Sequence, residues 1–271
     1  MNRSVKIDGG VAVITGAASG IGAGLARHAA AKNMNLVLAD WDEPRLRALA
    51  SELPTDTLIM PVDVSDGDRV NALADAAFDR FGDVDLLFNN AGIMTSGRSW
   101  EIDAETWQKS LDVNIGGIVN GMRAFIPRLI AADRPAHIIN TASVGGFYSV
   151  PLLAPYMASK TAVVAITEAL AGELASMGSK IRTSLLAPGA VKTDLMRDAA
   201  PKESEEFWQS LRGVADRKGK MPDEFAVMVF DAIKHGDFWI IPQPESLDGR
   251  LRERTDMILE RRHPADKRGH G

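Results

Sequence analysis

A glycine-rich stretch near the N-terminus, residues 11–30, constrains the fold of this chain more than any other feature. It reads VAVITGAASGIGAGLARHAA, an apolar run followed by Gly16, Gly20 and Gly22, with good helix formers from Ile21 onwards. The apolar run Val11–Ile14 has no polar face, which is typical of a strand inside a parallel sheet. A strand that passes through a glycine turn into a helix leaves backbone N–H groups and the positive end of the helix dipole where a phosphate can bind. An ordinary strand–helix turn is the alternative, and glycine alone does not separate the two.

Apolar strand-like segments alternate with helical ones along the rest of the chain. We predict seven strands, at 11–15, 35–40, 57–62, 84–88, 136–142, 180–187 and 237–241. Helices are predicted between them, near 20–33, 42–53, 66–82, 103–131, 155–177 and 222–235. This alternation predicts a doubly wound α/β fold, with a parallel sheet of about seven strands and helices on both faces. We expect one domain over residues 1–246, followed by a charged C-terminal tail, 247–271, that frays at its end.

The composition argues against several classes of function. The chain of 271 residues is 45% hydrophobic and 25% charged, and its formal net charge is −5, which makes nucleic acid or an anionic membrane an unexpected main partner. No apolar run is long enough to span a bilayer, and the N-terminus lacks a secretory pattern. Cysteine is absent, which excludes disulfides and thiolate chemistry, and the five histidines show no metal-ligand spacing. We therefore expect a cytoplasmic protein without a metal site.

The second predicted strand, NLVLAD, ends in Asp40, eighteen residues after Gly22. In a dinucleotide-binding fold, a carboxylate at this place accepts hydrogen bonds from the adenosine ribose hydroxyls. The alternative is that Asp40 caps the helix that begins at 41–42. The glycine motif reads TGAASGIG, with a spacing different from GxGxxG. This spacing resembles that of the short-chain dehydrogenase/reductase family.

Further motifs of that family follow in the family's order, over about residues 8–195. They are Asp63 and Val64 after the third strand, NNAG at 89–92, Asn114 in LDVNIGG, Ser143 after the fifth strand, YMASK at 156–160, and Pro188, Gly189 and Thr193 after the sixth strand. Any one of these motifs occurs by chance, but the whole set on the expected elements is very specific. The resemblance implies a Rossmann-type catalytic domain.

The resemblance also implies a nicotinamide-dependent oxidoreductase with a defined set of site residues. The catalytic residues it implies are Asn114, Ser143, Tyr156 and Lys160. The cofactor-binding residues it implies are Gly16, Ser19, Gly20, Ile21, Gly22, Asp40, Trp41, Asp63, Val64, Asn90, Ala91, Gly92, Tyr156, Lys160, Pro188, Gly189, Val191 and Thr193.

Two of these residues, Tyr156 and Lys160, lie four apart and share one face of a helix. A lysine ammonium beside a phenol lowers the pKa of the phenol, so that it can take a proton from an alcohol or give one to a ketone. Ser143 is expected to hydrogen-bond the substrate oxygen, and the resemblance implies that Asn114 holds a water that links Lys160 to solvent. The alternative is a surface tyrosine beside a lysine that reaches towards solvent.

The residues near Asp40 predict NAD as the cofactor. A carboxylate there repels the extra phosphate of NADP, and residues 17–19 and 41–42 include no basic side chain. The basic residue nearest to Asp40 in sequence is Arg45, which lies a full helical turn after Trp41. Trp41 packs along the adenine or is simply exposed at the start of a helix.

The residues predicted around Ser143 and Tyr156 are mostly apolar, which favours an uncharged, hydrophobic substrate. They are Ile93, Met94, Val144, Gly145, Gly146, Phe147, Tyr148, Leu152, Leu153, Ala190, Leu195, Met196, Phe207 and Trp208. We expect a hydrophobic secondary alcohol and its ketone, with segment 190–220 as a lid over them. NIGGIVNGMRAFIPRLI, SVGGF and IIPQPE resemble, more weakly, a bacterial subgroup that oxidises the benzylic alcohols of lignin-derived aryl ethers, which points to an aryl substrate.

Two other functions remain open at this point: reduction of another carbonyl class, such as a carrier-bound acyl group, a steroid or a sugar, and non-catalytic sensing of NAD. Helix 155–177 is apolar or small nearly all round, so one of its faces is expected in a subunit interface. Family members usually pair through this helix, which implies a homotetramer.

Overall fold

Seven short segments, buried for the most part, pair side by side in a computed structural model that describes residues 5–196 and 204–265. They are β1 Val11–Thr15, β2 Asn35–Asp40, β3 Thr57–Pro61, β4 Leu86–Asn89, β5 Ala136–Thr141, β6 Ile181–Leu186 and β7 Trp239–Ile240. All pairs are parallel, and the strand order is β3-β2-β1-β4-β5-β6-β7. The predicted doubly wound α/β fold is confirmed. Its order reverses between β1 and β4, where such folds bind ligands beyond the carboxyl ends of the strands.

The described helices follow the predicted ones closely, with three differences. They are α1 Gly20–Ala31, α2 Glu43–Glu52, α3 Gly67–Phe81, α4 Ala104–Leu111, α5 Gly117–Ala132, α6 Ala154–Ser176, α7 Glu205–Lys218, α8 Pro222–His235 and α9 Asp248–Leu259. The helix predicted at 103–131 is divided into α4 and α5 by a π-helical turn, Asp112–Gly116. Helix α7 lies in the predicted lid segment, and α9 lies in the predicted charged tail, where no helix was expected. Residues 197–203 of the lid segment and the tail end 266–271 are outside the described residues.

The two faces of the sheet are covered by different helices. Alternate residues of β1 point to opposite sides, so Ile14 packs with α1 and α8 while Val13 packs with α3, α5 and α6. Helices α1 and α8 approach so closely that a Cβ on Gly24 would lie 2.4 Å from the backbone oxygen of Pro222. Both faces of the sheet are therefore buried, as the apolar runs predicted. None of the helices in the described ranges is long and apolar enough to cross a membrane.

A short line of polar side chains crosses this apolar interior. Asn89 of β4 donates from Nδ2 to Asn140 Oδ1 of β5 at 2.9 Å, and Asn140 Nδ2 donates to Thr167 Oγ1 of α6 at 3.1 Å. Thr167 Oγ1 in turn donates to the backbone oxygen of Val163 at 2.7 Å. The three side chains are nearly or fully buried. This line ties helix α6, which carries YMASK, to the two central strands.

Candidate active site

The glycine motif forms a tight turn between β1 and α1. Gly16 and Gly20 have φ values of +65° and +50°, which a residue with a side chain rarely adopts. A Cβ on Gly16 would lie 2.7 Å from the Cα of Ala91, and one on Gly22 would lie 2.0 Å from the backbone oxygen of Gly16. Ser19 precedes α1, and Gly20, Ile21 and Gly22 are its first residues. Their backbone N–H groups lie at the open end of the helix, at the switch point of the sheet, where a diphosphate fits.

Asp40 connects the end of β2 to this turn. Its Oδ2 accepts a hydrogen bond from the backbone N–H of Ala18 at 2.9 Å, and its Oδ1 accepts one from Asp42 at 3.0 Å. The side chain that caps α2 is Asp42, which accepts from the backbone N–H of Arg45 at 3.2 Å. The helix-cap alternative for Asp40 is therefore wrong. Asp40 is only 8% exposed, whereas the neighbouring Trp41 is 71% exposed.

Arg45, the cation nearest to Asp40 in the sequence argument, is already paired. Its Nη1 lies 2.6 Å from Asp194 Oδ2, and its Nε lies 3.5 Å from Asp42 Oδ2. Asp194 belongs to the segment after β6, so this ion pair spans the two sides of the switch point. Three carboxylates, those of Asp40, Asp42 and Asp194, thus surround one guanidinium, and the local charge is negative.

The predicted residues after β3 lie in a fixed loop. Asp63 Oδ1 accepts hydrogen bonds from the backbone N–H and the hydroxyl of Ser65, at 2.9 and 2.7 Å. The backbone oxygen of Val64 accepts from Asn120 Nδ2 at 2.9 Å. Asn120 lies on α5, so this bond holds the loop against the helix that follows β4.

The residues after β4 are held by a residue that the sequence argument missed. Thr15, the last residue of β1, accepts on its Oγ1 from the backbone N–H groups of Asn90 and Ala91, at 2.9 and 3.2 Å. Asn90 Nδ2 donates to the backbone oxygen of Thr15 at 3.0 Å. A Cβ on Gly92 would lie 3.3 Å from Lys160 Nζ, so a side chain there would crowd the amine of Lys160. The threonine of TGAASGIG was the available signal for Thr15.

The turn after β6 is held by Gln243, a second residue that was not predicted from the sequence. Its Oε1 accepts from the backbone N–H of Gly189 at 3.2 Å, and its Nε2 donates to the backbone oxygen of Ala190 at 2.7 Å. Val191 pairs with Lys220 in an isolated parallel bridge. Thr193 lies against the glycine turn, since a Cβ on Gly20 would come 2.9 Å from Thr193 Cβ. The motif IIPQPE contained Gln243, but nothing in its pattern predicted this contact.

Ser143, Tyr156 and Lys160 meet beyond the carboxyl end of β5. The Tyr156 phenol lies close enough to the Ser143 hydroxyl for that hydroxyl to lower its pKa, and Ser143 Oγ accepts from the backbone N–H of Gly145 at 3.1 Å. Lys160 Nζ donates to the backbone oxygen of Thr141 at 2.9 Å and lies 5.8 Å from the centre of the Tyr156 ring. The structure therefore brings the predicted catalytic serine, tyrosine and lysine together.

Burial has the largest effect on the pKa values of Tyr156 and Lys160. It raises the pKa of Tyr156, and the nearby Ser143 hydroxyl offsets this rise only in part. It lowers the pKa of Lys160 to about 8. The direction for Tyr156 is opposite to the one expected from the sequence, because the loss of hydration of the buried phenolate is the largest influence on its pKa.

Asn114, the fourth predicted catalytic residue, lies fully buried in the π-helical turn between α4 and α5. Its Oδ1 accepts from the backbone N–H of Ile93 at 2.8 Å, and its Nδ2 donates to the backbone oxygen of Ile93 at 3.0 Å. Nδ2 also donates to Ser159 Oγ at 2.9 Å, and Ser159 donates to the backbone oxygen of Tyr156 at 2.8 Å. The Asn114 side chain thus links the strand β4 side of the site to helix α6. That it also holds a water stays a prediction.

An apolar cluster covers Tyr156. Helix α7 contributes Trp208, which is almost fully buried, and Leu153 and Met157 lie beside the tyrosine. Met94, Val150, Met196, Phe207 and Leu211 pack against them. Five of the residues predicted around the site are therefore in this cluster: Met94, Leu153, Met196, Phe207 and Trp208.

The geometry fits a dinucleotide with a nicotinamide end. The glycine turn leaves no room for side chains where a diphosphate would lie, Asp40 is fixed beside it, and Gly92 keeps the space near Lys160 open. Within residues 5–196 and 204–265, no three histidine or acidic side chains are grouped in a way that would hold a metal ion.

Comparisons with known proteins identify the family of this chain. The model of the short chain dehydrogenase family matches residues 10–204. A short chain dehydrogenase/reductase from Burkholderia phymatum, solved in complex with NAD, is 37% identical and superposes with a TM-score of 0.92, over 97% of this chain and 99% of that one. The 1-deoxy-11-beta-hydroxypentalenate dehydrogenase of Streptomyces exfoliatus is 34% identical over 253 residues, 91% of this chain and 87% of the relative.

A second solved structure holds a different cofactor. An alcohol dehydrogenase from the archaeon Thermococcus sibiricus, solved with 5-hydroxy-NADP, is 28% identical, with a TM-score of 0.72 over 83% of this chain and 90% of that one. Similar structures thus contain either NAD or an NADP derivative. The family match extends over most of the chain, and the predicted serine, tyrosine and lysine meet at one site. This chain therefore belongs to the short-chain dehydrogenase/reductase family and is an oxidoreductase with a Rossmann-type fold.

Proposed function

We propose that this oxidoreductase interconverts a hydrophobic secondary alcohol and its ketone, with NAD as cofactor and Tyr156 as general acid and base. The observation that carries the proposal is the meeting of Ser143, Tyr156 and Lys160 under an apolar cluster. NAD, when bound, accepts a hydride from the alcohol carbon. Ser143 holds the substrate oxygen by a hydrogen bond, and Tyr156 takes its proton. Lys160 supplies positive charge near the phenol, and its amine is held in place by its bond to the backbone oxygen of Thr141.

The substrate class follows from the residues around the reacting centre. Trp208, Leu153 and Met157 surround Tyr156 with apolar surface, which favours a hydrophobic carbon skeleton. The pentalenate relative is named for a dehydrogenase of a hydroxylated compound, and this supports an alcohol substrate. An aryl ring suits the same surface, and the weaker resemblance to aryl alcohol dehydrogenases supports that choice.

A screen of secondary alcohols tests the function. Aryl and aliphatic hydrophobic alcohols are incubated with the enzyme and NAD at alkaline pH, and NADH formation is followed by absorbance. We expect turnover of at least one hydrophobic alcohol, lowered by on the order of a hundredfold or more in the Tyr156→Phe variant. Turnover confined to carrier-bound acyl groups or sugars would contradict the proposal, and so would a protein that binds NAD without oxidising any alcohol.

The preference for NAD rests on Asp40. Its carboxylate accepts hydrogen bonds from ribose hydroxyls but repels a phosphate, and Arg45 is occupied by Asp42 and Asp194. From about 1.4 kcal/mol per factor of ten, we expect kcat/KM to favour NAD by at least on the order of a hundredfold.

Two substitutions at Asp40 separate its charge from its structural bonds. Asp40→Asn removes the charge but keeps one acceptor oxygen for the loop. The ratio of kcat/KM for NAD to that for NADP should therefore fall, with only a small loss in kcat/KM for NAD itself. Asp40→Ala removes both, so NAD use itself should fall. Equal initial rates with the two cofactors in the wild type would overturn this assignment, and an Arg45→Ala variant would show whether that arginine binds the phosphate.

The homotetramer and the cytoplasmic location stay predictions. Helix α6 supports the first, because its outer face exposes a row of uncharged residues, Ala158, Ala165, Ala169 and Gly172, and an exposed apolar surface is typical of a protein–protein contact.

A further inference from the structure

The C-terminal segment is fixed beside the active site rather than free in solvent. Gln243 holds the turn at Gly189, and a Cβ on Gly189 would lie only 3.0 Å from Ser246 Oγ. Leu247, at the start of α9, is 1% exposed. The same turn reaches the catalytic serine, since Ser143 Oγ lies 3.5 Å from the backbone oxygen of Pro188. Helix α9 therefore begins at a defined position next to the site.

The first turn of α9 places a guanidinium against the loop that follows Ser143. Arg250 Cζ lies 4.8 Å from the centre of the Tyr148 ring. Tyr148 lies in the loop between β5 and α6, the loop that follows Ser143 and that also carries Val150 and Leu153 of the apolar cluster around Tyr156. A guanidinium stacked on an aromatic face keeps its N–H donors free at its edges, where they match the two oxygens of a carboxylate.

The charge of Arg250 is unmatched in the part of the chain that the structure describes. No carboxylate oxygen there lies within 4.0 Å of its guanidinium, whereas Arg45, Arg47 and Arg98 all have such partners. A cation held by stacking, beside a site otherwise covered by apolar groups, is available to a charged ligand.

From this geometry we infer that Arg250 is a specificity-determining residue that binds an acidic group of the substrate. The inference rests on the proposed function and narrows its substrate class to hydrophobic alcohols and ketones that carry a carboxylate. The carboxylate is remote from the reacting carbon, because next to it the acid would be buried among Leu153, Met157 and Trp208 without a charged partner.

A matched series of ketones tests this inference. The probes are 4-acetylbenzoate, 4-oxo-4-phenylbutanoate and 5-oxo-5-phenylpentanoate, each beside its uncharged methyl ester, reduced with NADH. We expect the wild type to prefer at least one acid over its ester in kcat/KM. Arg250→Gln should lower that acid-to-ester ratio by on the order of tenfold, as for the loss of a charge-assisted hydrogen bond at an exposed residue, because kcat/KM for the acid falls much more than kcat/KM for the ester. Arg250→Lys should keep part of the preference.

Arg252→Gln is the control variant. It makes the same change of charge on the same helix, about 200° around the axis from Arg250, and should leave the ratio at the wild-type value. An acid-to-ester ratio that is the same in Arg250→Gln as in the wild type would overturn the inference. An equal fall in both variants would do so too, because it would show a general effect of charge.

A binding measurement separates this inference from the proposed function. In the Tyr156→Phe background with NADH bound, calorimetric titration gives the affinity of each acid and ester without turnover. If no ketone is reduced by the wild type, the proposed function fails, but an acid that binds more weakly after Arg250→Gln still supports the role of Arg250. Acids that bind no better than their esters in this background refute it.

Discussion

Burial of the Lys160 amine predicts how the free energy of unfolding depends on pH. Burial lowers its pKa from 10.5 to about 8, so between these values the unfolded chain binds more protons than the folded one. The folded state is therefore penalised below pH 8, and the penalty is relieved as the pH rises towards 10.5. From these two pKa values the penalty is about 3 kcal/mol at pH 7 and about 2 kcal/mol at pH 9.

The Lys160→Met variant isolates this effect. Methionine keeps the length and loses the charge, and it leaves the backbone oxygen of Thr141 without its donor, a cost of about 1–3 kcal/mol that does not depend on pH. Urea unfolding of both proteins at pH 7, 8 and 9, at one protein concentration, gives the difference in unfolding free energy. We expect the wild type to gain about 1 kcal/mol on the variant from pH 7 to pH 9.

A pH-independent difference would refute the reasoning, because it would mean that Lys160 titrates alike in the folded and unfolded chains. Lys218→Met, at an exposed lysine near the end of α7, shows how far the loss of any one lysine changes the profile.

Three further predictions follow from the site. Tyr156→Phe should lower turnover by on the order of a hundredfold or more while NADH still binds, as measured by fluorescence titration; retained turnover would reject Tyr156 as the acid and base. Gln243→Leu removes both side-chain bonds to the turn at Gly189, so it should lower stability by about 1–3 kcal/mol and raise KM for the cofactor, whereas an unchanged KM would show that the turn holds its shape alone. Helix α7 covers the site through Trp208, so NADH with a hydrophobic ketone should slow tryptic cleavage within 204–220, and equal rates with and without these ligands would argue against the predicted lid.

The sequence predicted the fold well because the pattern that determines it is local. Buried apolar runs identified all seven strands to within about two residues, and the glycine and YMASK motifs identified the site because each is tied to the end of a strand or a helix. Hydrophobic spacing did not reveal the π-helical turn at Asp112–Gly116, since one extra residue in a turn leaves the apolar stripe nearly continuous. Helix α9 was missed because none of its side chains is buried, so it has no apolar face to detect.

The parts of the site that the sequence did not predict depend on contacts between distant residues. Gln243 meets Gly189, and Arg250 meets Tyr148, through chain positions that no local pattern connects. The pKa of Tyr156 was predicted in the wrong direction because a spacing of four residues shows that a lysine is near but not how deeply both groups are buried. Depth of burial is a property of the folded molecule, and here it decides the sign.

The polar line through Asn89, Asn140 and Thr167 has a consequence for how the chain folds. A slip of one residue between neighbouring strands turns every side chain to the other face. In a sheet covered by helices on both sides, such a slip keeps the apolar residues covered, so burial alone distinguishes poorly between alignments of β4 and β5. The amides do distinguish, because Asn89 lies opposite Asn140 only in the native pairing, and a shift would leave buried groups without partners at about 1–3 kcal/mol each. These three polar side chains therefore specify the register of β4 and β5 and disfavour folding intermediates in which the two strands are mispaired.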